Sequence, residues 1–286
     1  MKLTPVLAGY FRLDGGAMFG IVPKRLWNKL NPADDDNMCP WALRCLLVET
    51  GDRKILIDTG IGNKQGEKFR DHFRPFGDTD LKASLARAGV TPADITDVLL
   101  THLHFDHVGG ALEYDANGRI VPTFPNARYW TNRPHLEWAL KPNARERASF
   151  LKENIVPLRE AGVLEYIEVS EDDVEWLPGI RLRFLYGHTE AMMMPLINTD
   201  SGTVVYCADL MPASYHIPLP WIIAYDLRPL ETLKEKQRLL EEALAGDYLL
   251  FFEHDPETPL VRLRRNEKGR IVAGERYQNF TQAGWQ

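Results

Sequence analysis

The chain has 286 residues, 44% hydrophobic and 26% charged, enough to bury a sizeable core in a single domain spanning residues 1–286. A formal net charge of −6, 34 basic against 40 acidic residues with no long basic tract, argues against nucleic acid as a partner. No stretch approaches 18 apolar residues, so no membrane span or membrane partner is expected, and the first residues lack the apolar core of a secretion signal.

In chain order, residues 3–13 and 17–22 read as strands flanking the turn signal Asp14-Gly15-Gly16, and 41–49 and 54–57 do the same around Gly51-Asp52. Asp34-Asp35-Asp36 reads as a solvated loop between them. Residues 81–88 have helical spacing that closes at Gly89, Thr91-Pro92-Ala93-Asp94 restarts the chain as a capped turn, and 95–100 is a strand. A short strand at 127–130 precedes helices at 133–140 and 145–160. Strand-like runs follow at 164–169, 180–185, 193–198 and 203–207. Residues 229–245 form the clearest helix, with Pro229 at its start and Gly246 after its end. A buried-type strand at 248–252 and a hairpin of 260–264 with 270–272 around Lys268-Gly269 close the chain. Strands come in two batches, each followed by helices, which predicts an α/β (α+β) chain of two packed sheets covered by helices. Cys39, Cys45 and Cys207 form no disulfide framework, and Cys207 reads as a buried small hydrophobe; a reducing, cytoplasmic setting is expected.

The strand at 95–100 opens directly into Thr101-His102-Leu103-His104-Phe105-Asp106-His107-Val108-Gly109-Gly110. Alternate residues of an extended chain share a face, so His102 and His104 can point at one ion, while Asp106 and His107 lie at the turn and can face a second. Imidazole and carboxylate are the usual ligands of catalytic zinc, and thiolates are absent. Such a site needs more ligands than one loop supplies. His188, Asp209 and His254 each follow an apolar run directly, in Tyr186-Gly187-His188-Thr189, Cys207-Ala208-Asp209-Leu210 and Phe252-Glu253-His254-Asp255.

With these residues the chain resembles the metallo-β-lactamase superfamily. The His102-Leu-His104-Phe-Asp106-His107 signature, the later His188, Asp209 and His254, and Leu56-Ile57-Asp58-Thr59-Gly60 match its motifs in order, over roughly residues 40–255. The resemblance implies the metallo-β-lactamase fold, a four-layer αβ/βα sandwich of two mixed β-sheets flanked by helices. It implies that His102, His104 and His188 bind one metal ion, that Asp106, His107 and His254 bind another, and that Asp209 bridges both. Asp58 would accept a hydrogen bond from a ligand histidine and fix its tautomer. One departure stands out: the stretch after the histidine is His188-Thr189-Glu190-Ala191-Met192, which lacks the family's second histidine.

The resemblance implies two divalent ions, zinc or else iron, manganese or cobalt, which would activate water as hydroxide for attack on a carbonyl or phosphoryl centre. Asp106 and Asp209 would then be the catalytic carboxylates, Asp106 able to carry the proton to the leaving group. Tyr215 is a candidate donor to the developing oxyanion. The proline-stiffened, apolar segment 211–225 follows Asp209 as a pocket wall would, and Met18, Phe19, Tyr215, His216 and Trp221 are candidate substrate contacts. His216 also reads as structural, and His72 and His135 read as solvated. The motif order looks most like the lactonase and organophosphate-hydrolase branch. A small-molecule lactone or ester is therefore the expected substrate, an N-acyl homoserine lactone among them. A glyoxalase II-like thioesterase or a phosphotriester hydrolase is the alternative hydrolase, and a di-iron redox protein the non-hydrolytic one. The apolar residues near Trp27 and Trp221 serve a homodimer contact as readily as a pocket.

Overall fold

The structure, a computed structural model describing residues 1–285, opens with β1 (Lys2–Asp14) and β2 (Met38–Thr50), separated by α1 (Gly15–Phe19) and α2 (Lys24–Trp27). Residues 17–22, expected as a strand, are helix α1 and a following turn instead. The Asp14 carboxylate accepts the Ala17 N–H at 2.8 Å and caps the helix, and a Cβ on Gly15 would lie 2.3 Å from the Trp27 ring. Capping and packing thus turn the chain where alternation alone suggested a hairpin.

The chain divides into two compact units, residues 1–9 with 43–170 and residues 10–42 with those from 171 onward. In the first, β3 (Arg53–Ile57), α3 (Glu67–Phe73), α4 (Leu81–Arg87), β4 (Asp97–Leu99) and α5 (Phe105–Val108) precede the small hairpin β5 (Leu112–Tyr114) and β6 (Ile120–Pro122). β7 (Arg128–Thr131), α6 (Arg133–Leu140), α7 (Lys152–Glu160) and β8 (Leu164–Tyr166) complete it. Among the described residues the sheet order is β1-β2-β3-β4-β7-β8, antiparallel at β2–β3 and parallel from β3 through β8. β4 is central, and its Val98 packs with Leu56, Leu100, Leu103, Val108 and Tyr129 in one buried cluster. Asp97, buried in that strand, is satisfied by Arg53 and by the Trp130 indole, each at 2.9 Å. The helix expected at 145–160 is confined to α7, because the turn before it is tied down by Glu146, whose carboxylate accepts from Trp138 at 2.7 Å and Asn143 at 3.3 Å.

The second unit carries β9 (Val174–Leu177), β10 (Ile180–Leu185), β11 (Met192–Thr199), β12 (Gly202–Tyr206), α8 (Pro229–Ala245), β13 (Leu249–Phe251), β14 (Leu260–Arg265) and β15 (Ile271–Tyr277). Their order among the described residues is β15-β14-β13-β12-β11-β10-β9. Only β12–β13 is parallel, and its crossover is α8, the connection a parallel pair requires. The strand expected at 164–169 ends early as β8, and β9 was not expected. Both sheets are mixed and accompanied by helices, as the sequence predicts. Among the described residues no helix is long and apolar enough to cross a membrane, and no disulfide joins the three buried cysteines.

Candidate metal centre

In the first unit the ligand loop leaves the end of β4 and turns into α5, and the segment after β3 packs against it backbone to backbone. Asp58 N donates to Leu99 O at 2.9 Å, Thr59 N to His107 O at 2.8 Å and Gly110 N to Gly60 O at 3.0 Å. A Cβ on Gly62 would fall 2.5 Å from Gly109 O, and one on Gly109 2.0 Å from Ile61 O. The two segments therefore meet only because glycines stand at both positions.

Each histidine of the loop has one ring nitrogen committed. His107 Nδ1–H donates to Asp58 Oδ2 at 3.0 Å. Thr101 Oγ1 donates to the same carboxylate oxygen at 2.7 Å, so it accepts from His102 Nδ1–H at 3.1 Å. His104 Nε2–H donates to Glu146 Oε1 at 3.0 Å. These bonds leave the lone pairs of His102 Nε2 and His104 Nδ1 facing each other across 3.0 Å, in buried surroundings. Two ligand nitrogens on one tetrahedral zinc, at bond lengths of about 2.0–2.1 Å, stand about 3.3 Å apart, so this pair fits a shared cation. Asp106 lies beside them, its Oδ2 3.9 Å from His107 Nε2.

The second unit repeats this logic. His188 Nδ1–H donates to Asp226 at 2.9 Å and His254 Nδ1–H to Ala42 O at 2.7 Å. Their Nε2 atoms then face the two oxygens of Asp209 separately, at 3.2 Å for His188 and 3.3 Å for His254. One carboxylate is thus held between two imidazoles, one oxygen toward each. Burial opposes charge on His188, but Asp209 and Asp226 outweigh it and raise its pKa to about 10. A surplus of negative charge surrounds this imidazole, and a cation resolves it as well as a proton does.

The same unit carries an aromatic cluster built on Phe19. Phe19 stacks on Trp27 at 5.0 Å and on His216 at 5.3 Å, meets Trp221 edge-on at 6.1 Å, and contacts Tyr215 at 6.4 Å. The structure thus assembles Phe19, Tyr215, His216 and Trp221 in one place, and Met18 joins them by accepting from His216 Nε2–H at 2.8 Å. Met18, Phe19 and His216 are buried, so Tyr215 and Trp221, both partly exposed, form the accessible surface of the cluster.

His72 is exposed, as expected. His135 is not: it is fully buried, and its Nε2 accepts the Leu103 N–H at 2.8 Å, fixing the backbone between His102 and His104. Glu146 and Asp226, which accept from His104 and His188, were also missed. Asp226 follows the apolar run 221–225, the same signal that marked His188, Asp209 and His254; Glu146 carries no such mark.

The family model described as the metallo-β-lactamase superfamily matches residues 42–254. An N-acyl homoserine lactonase of Bacillus cereus is 29% identical over 241 residues, covering 80% of this chain and 86% of that protein. Among solved structures, a probable metal-dependent hydrolase from Staphylococcus aureus superposes with a TM-score of 0.84 at 29% identity, over 96% of this chain and 97% of its own. An N-acyl homoserine lactone hydrolase, with the product N-hexanoyl-L-homoserine at its catalytic metal centre, gives 0.67 at 25% identity, over 96% of this chain and 98% of its own.

Proposed function

We propose that this chain, which belongs to the metallo-β-lactamase superfamily of metallo-hydrolases, cleaves a lactone or ester bearing an apolar acyl part, with an N-acyl homoserine lactone as the leading substrate. The observation that carries this reading is the partly exposed pair Tyr215 and Trp221 on the Phe19 cluster, a few residues beyond Asp209. The relatives named as N-acyl homoserine lactonases support it.

In this reading His102, His104 and His188 hold one divalent ion, Asp106, His107 and His254 a second, and Asp209 spans both, with zinc best matched to the nitrogen and oxygen donors. In this reading residues 1–286 work as one domain. When bound, such a pair polarises a carbonyl oxygen and lowers the pKa of water. Asp58, Glu146 and Asp226 keep the ligand histidines in the tautomer that presents a lone pair. Asp106 takes the proton of the attacking water on a carboxylate oxygen and delivers it to the departing alkoxide. Burial, with Asp255 and Glu257 adding to it, raises the Tyr215 pKa well above its ordinary value. Its hydroxyl therefore keeps its proton at working pH and donates it as a hydrogen bond to the carbonyl oxygen as charge builds there. Trp221 supplies apolar surface for the acyl chain. The work is placed in a reducing, cytoplasmic compartment.

The test is a panel of lactones, carboxyl esters, thioesters and phosphotriesters, run on purified protein with metal quantification. Lactone or ester turnover with two metals per chain is expected, and Asp209→Ala or His104→Ala should remove metal and activity together. Turnover retained with a full metal complement in either variant would overturn the ligand assignment. Preference for thioesters or phosphotriesters would overturn the substrate class.

A further inference from the structure

α8 presents a buried stripe of Thr232, Lys236, Leu239, Leu240 and Ala243, and one member of it is a lysine with no exposed surface. An ammonium group in such a place is costly unless acceptors surround it. Here the acceptors are three main-chain carbonyls: Lys236 Nζ donates to Pro218 O at 2.9 Å, Leu219 O at 3.2 Å and Trp221 O at 2.7 Å. All three lie in one four-residue turn, closed by Trp221 N donating to Pro218 O at 2.9 Å. The turn belongs to the segment that follows Asp209 and bears Tyr215 and Trp221.

That segment is fastened to α1 as well. His216 Nε2 donates to Met18 O, Ala224 N donates to Ala17 O at 2.7 Å, and a Cβ on Gly20 would lie 2.7 Å from Ile222 O. The turn is not backed by packed core on all sides. Pro218 and Trp221 border a cleft of about 670 Å³, whose other walls include Leu240 of α8 and Arg270 and Ile271 beside the β14–β15 turn. A turn with a cleft at its side depends on whatever grips its backbone, and Lys236 grips three of its four carbonyls.

We infer that Lys236 is a positioning residue for substrate selectivity, holding the 218–221 turn so that Trp221 presents a fixed apolar surface to the acyl chain. It touches no reacting atom. The inference rests on the lactone or ester reading for its substrate, though not for its structural content. Three hydrogen bonds from one buried Nζ converge on this turn. A lysine that was merely a stabilising staple would, when removed, lower the activity on every substrate alike.

The experiment compares wild type, Lys236→Met, Lys236→Arg and Trp221→Ala on butanoyl and dodecanoyl homoserine lactones, with hydrogen exchange followed across residues 214–224. For Lys236→Met, KM for the dodecanoyl substrate should rise about 10-fold or more, as loss of a few such bonds allows, with kcat on the butanoyl substrate within about threefold. Exchange should quicken in 214–224 and stay unchanged in α8 and the β-sheets. Trp221→Ala should reproduce the chain-length effect, and Lys236→Arg, which retains a cationic donor, should recover part of it. Equal losses on both chain lengths, or unaltered exchange in 214–224, would overturn the inference. Should Lys236→Met fail to fold, Lys236→Arg with a wild-type chain-length profile and Trp221→Ala without the KM effect would overturn it too. If wild type hydrolyses neither lactone, the substrate reading fails by itself, and the exchange comparison still decides the role of Lys236.

Discussion

Asp58 gives the sharpest test of how the ligand loop is held. It is fully buried, and its carboxylate accepts from Thr101 N at 2.8 Å, Thr101 Oγ1 at 2.7 Å and His107 Nδ1 at 3.0 Å. Its backbone has φ +56°, a conformation that asparagine tolerates better than most residues, so Asp58→Asn changes chemistry with little strain. The amide keeps an oxygen for Thr101 N, the bond Oδ1 makes, but its NH₂ replaces Oδ2, the acceptor of both Thr101 Oγ1 and His107 Nδ1. A donor facing Nδ1 drives the His107 proton to Nε2 and converts the nitrogen proposed to face the metal from lone pair to N–H. Loss of such an anchoring carboxylate typically weakens metal binding ~10–100-fold, or ~1.4–2.7 kcal/mol. The metal-free fold should lose a comparable amount, ~1–3 kcal/mol, for the disturbed buried bonds. Zinc titration of apo protein against a competing chelator reads the first quantity, and urea unfolding of the apo forms reads the second. Asp58→Asn that binds zinc as tightly as wild type, with full activity, would refute the tautomer argument.

Two further expectations concern stability. Burial lowers the His216 pKa from 6.5 to about 4, so the folded protein keeps it neutral while the unfolded chain takes up a proton below about 6.5. The unfolded state then binds more protons in that window, so stability is full above it and falls as pH drops toward 4, by ~3 kcal/mol at most. Urea unfolding at pH 7 and pH 4.5 should show a smaller acid loss in His216→Gln than in wild type, and equal losses would contradict the assignment. Gly62→Ala puts a side chain at φ +69°, 2.5 Å from Gly109 O, and should cost ~2–3 kcal/mol and lower bound metal by displacing α5; a wild-type melting temperature and metal content would count against it.

The site was more legible than the fold around it. His102, His104, Asp106 and His107 lie in one short run whose geometry follows from a strand end and a single helical turn, so local periodicity was enough to read them. Residues that act from a distance were not legible in the same way. His135, read as solvated, is buried because α6 brings it beneath Leu103. Glu146 and Lys236 sit in sequences that look like ordinary charged helix faces. The misread strand at 17–22 has the same origin: its apolar residues satisfy an alternating pattern, while the Asp14 cap and the Trp27 ring against Gly15 dictate a helix.

The sequence by itself determined the family, the reaction class and the candidate ligands, because a metal demands particular side chains and those lie directly after apolar strands. Tertiary structure decided which nitrogen of each histidine presents its lone pair, which buried groups hold those tautomers, and how the segment after Asp209 is fastened. Many of these outcomes depend on hydrogen bonds between residues distant in sequence, such as His188 with Asp226, His104 with Glu146 and His107 with Asp58, 38 to 49 positions apart, and no local pattern encodes such partners.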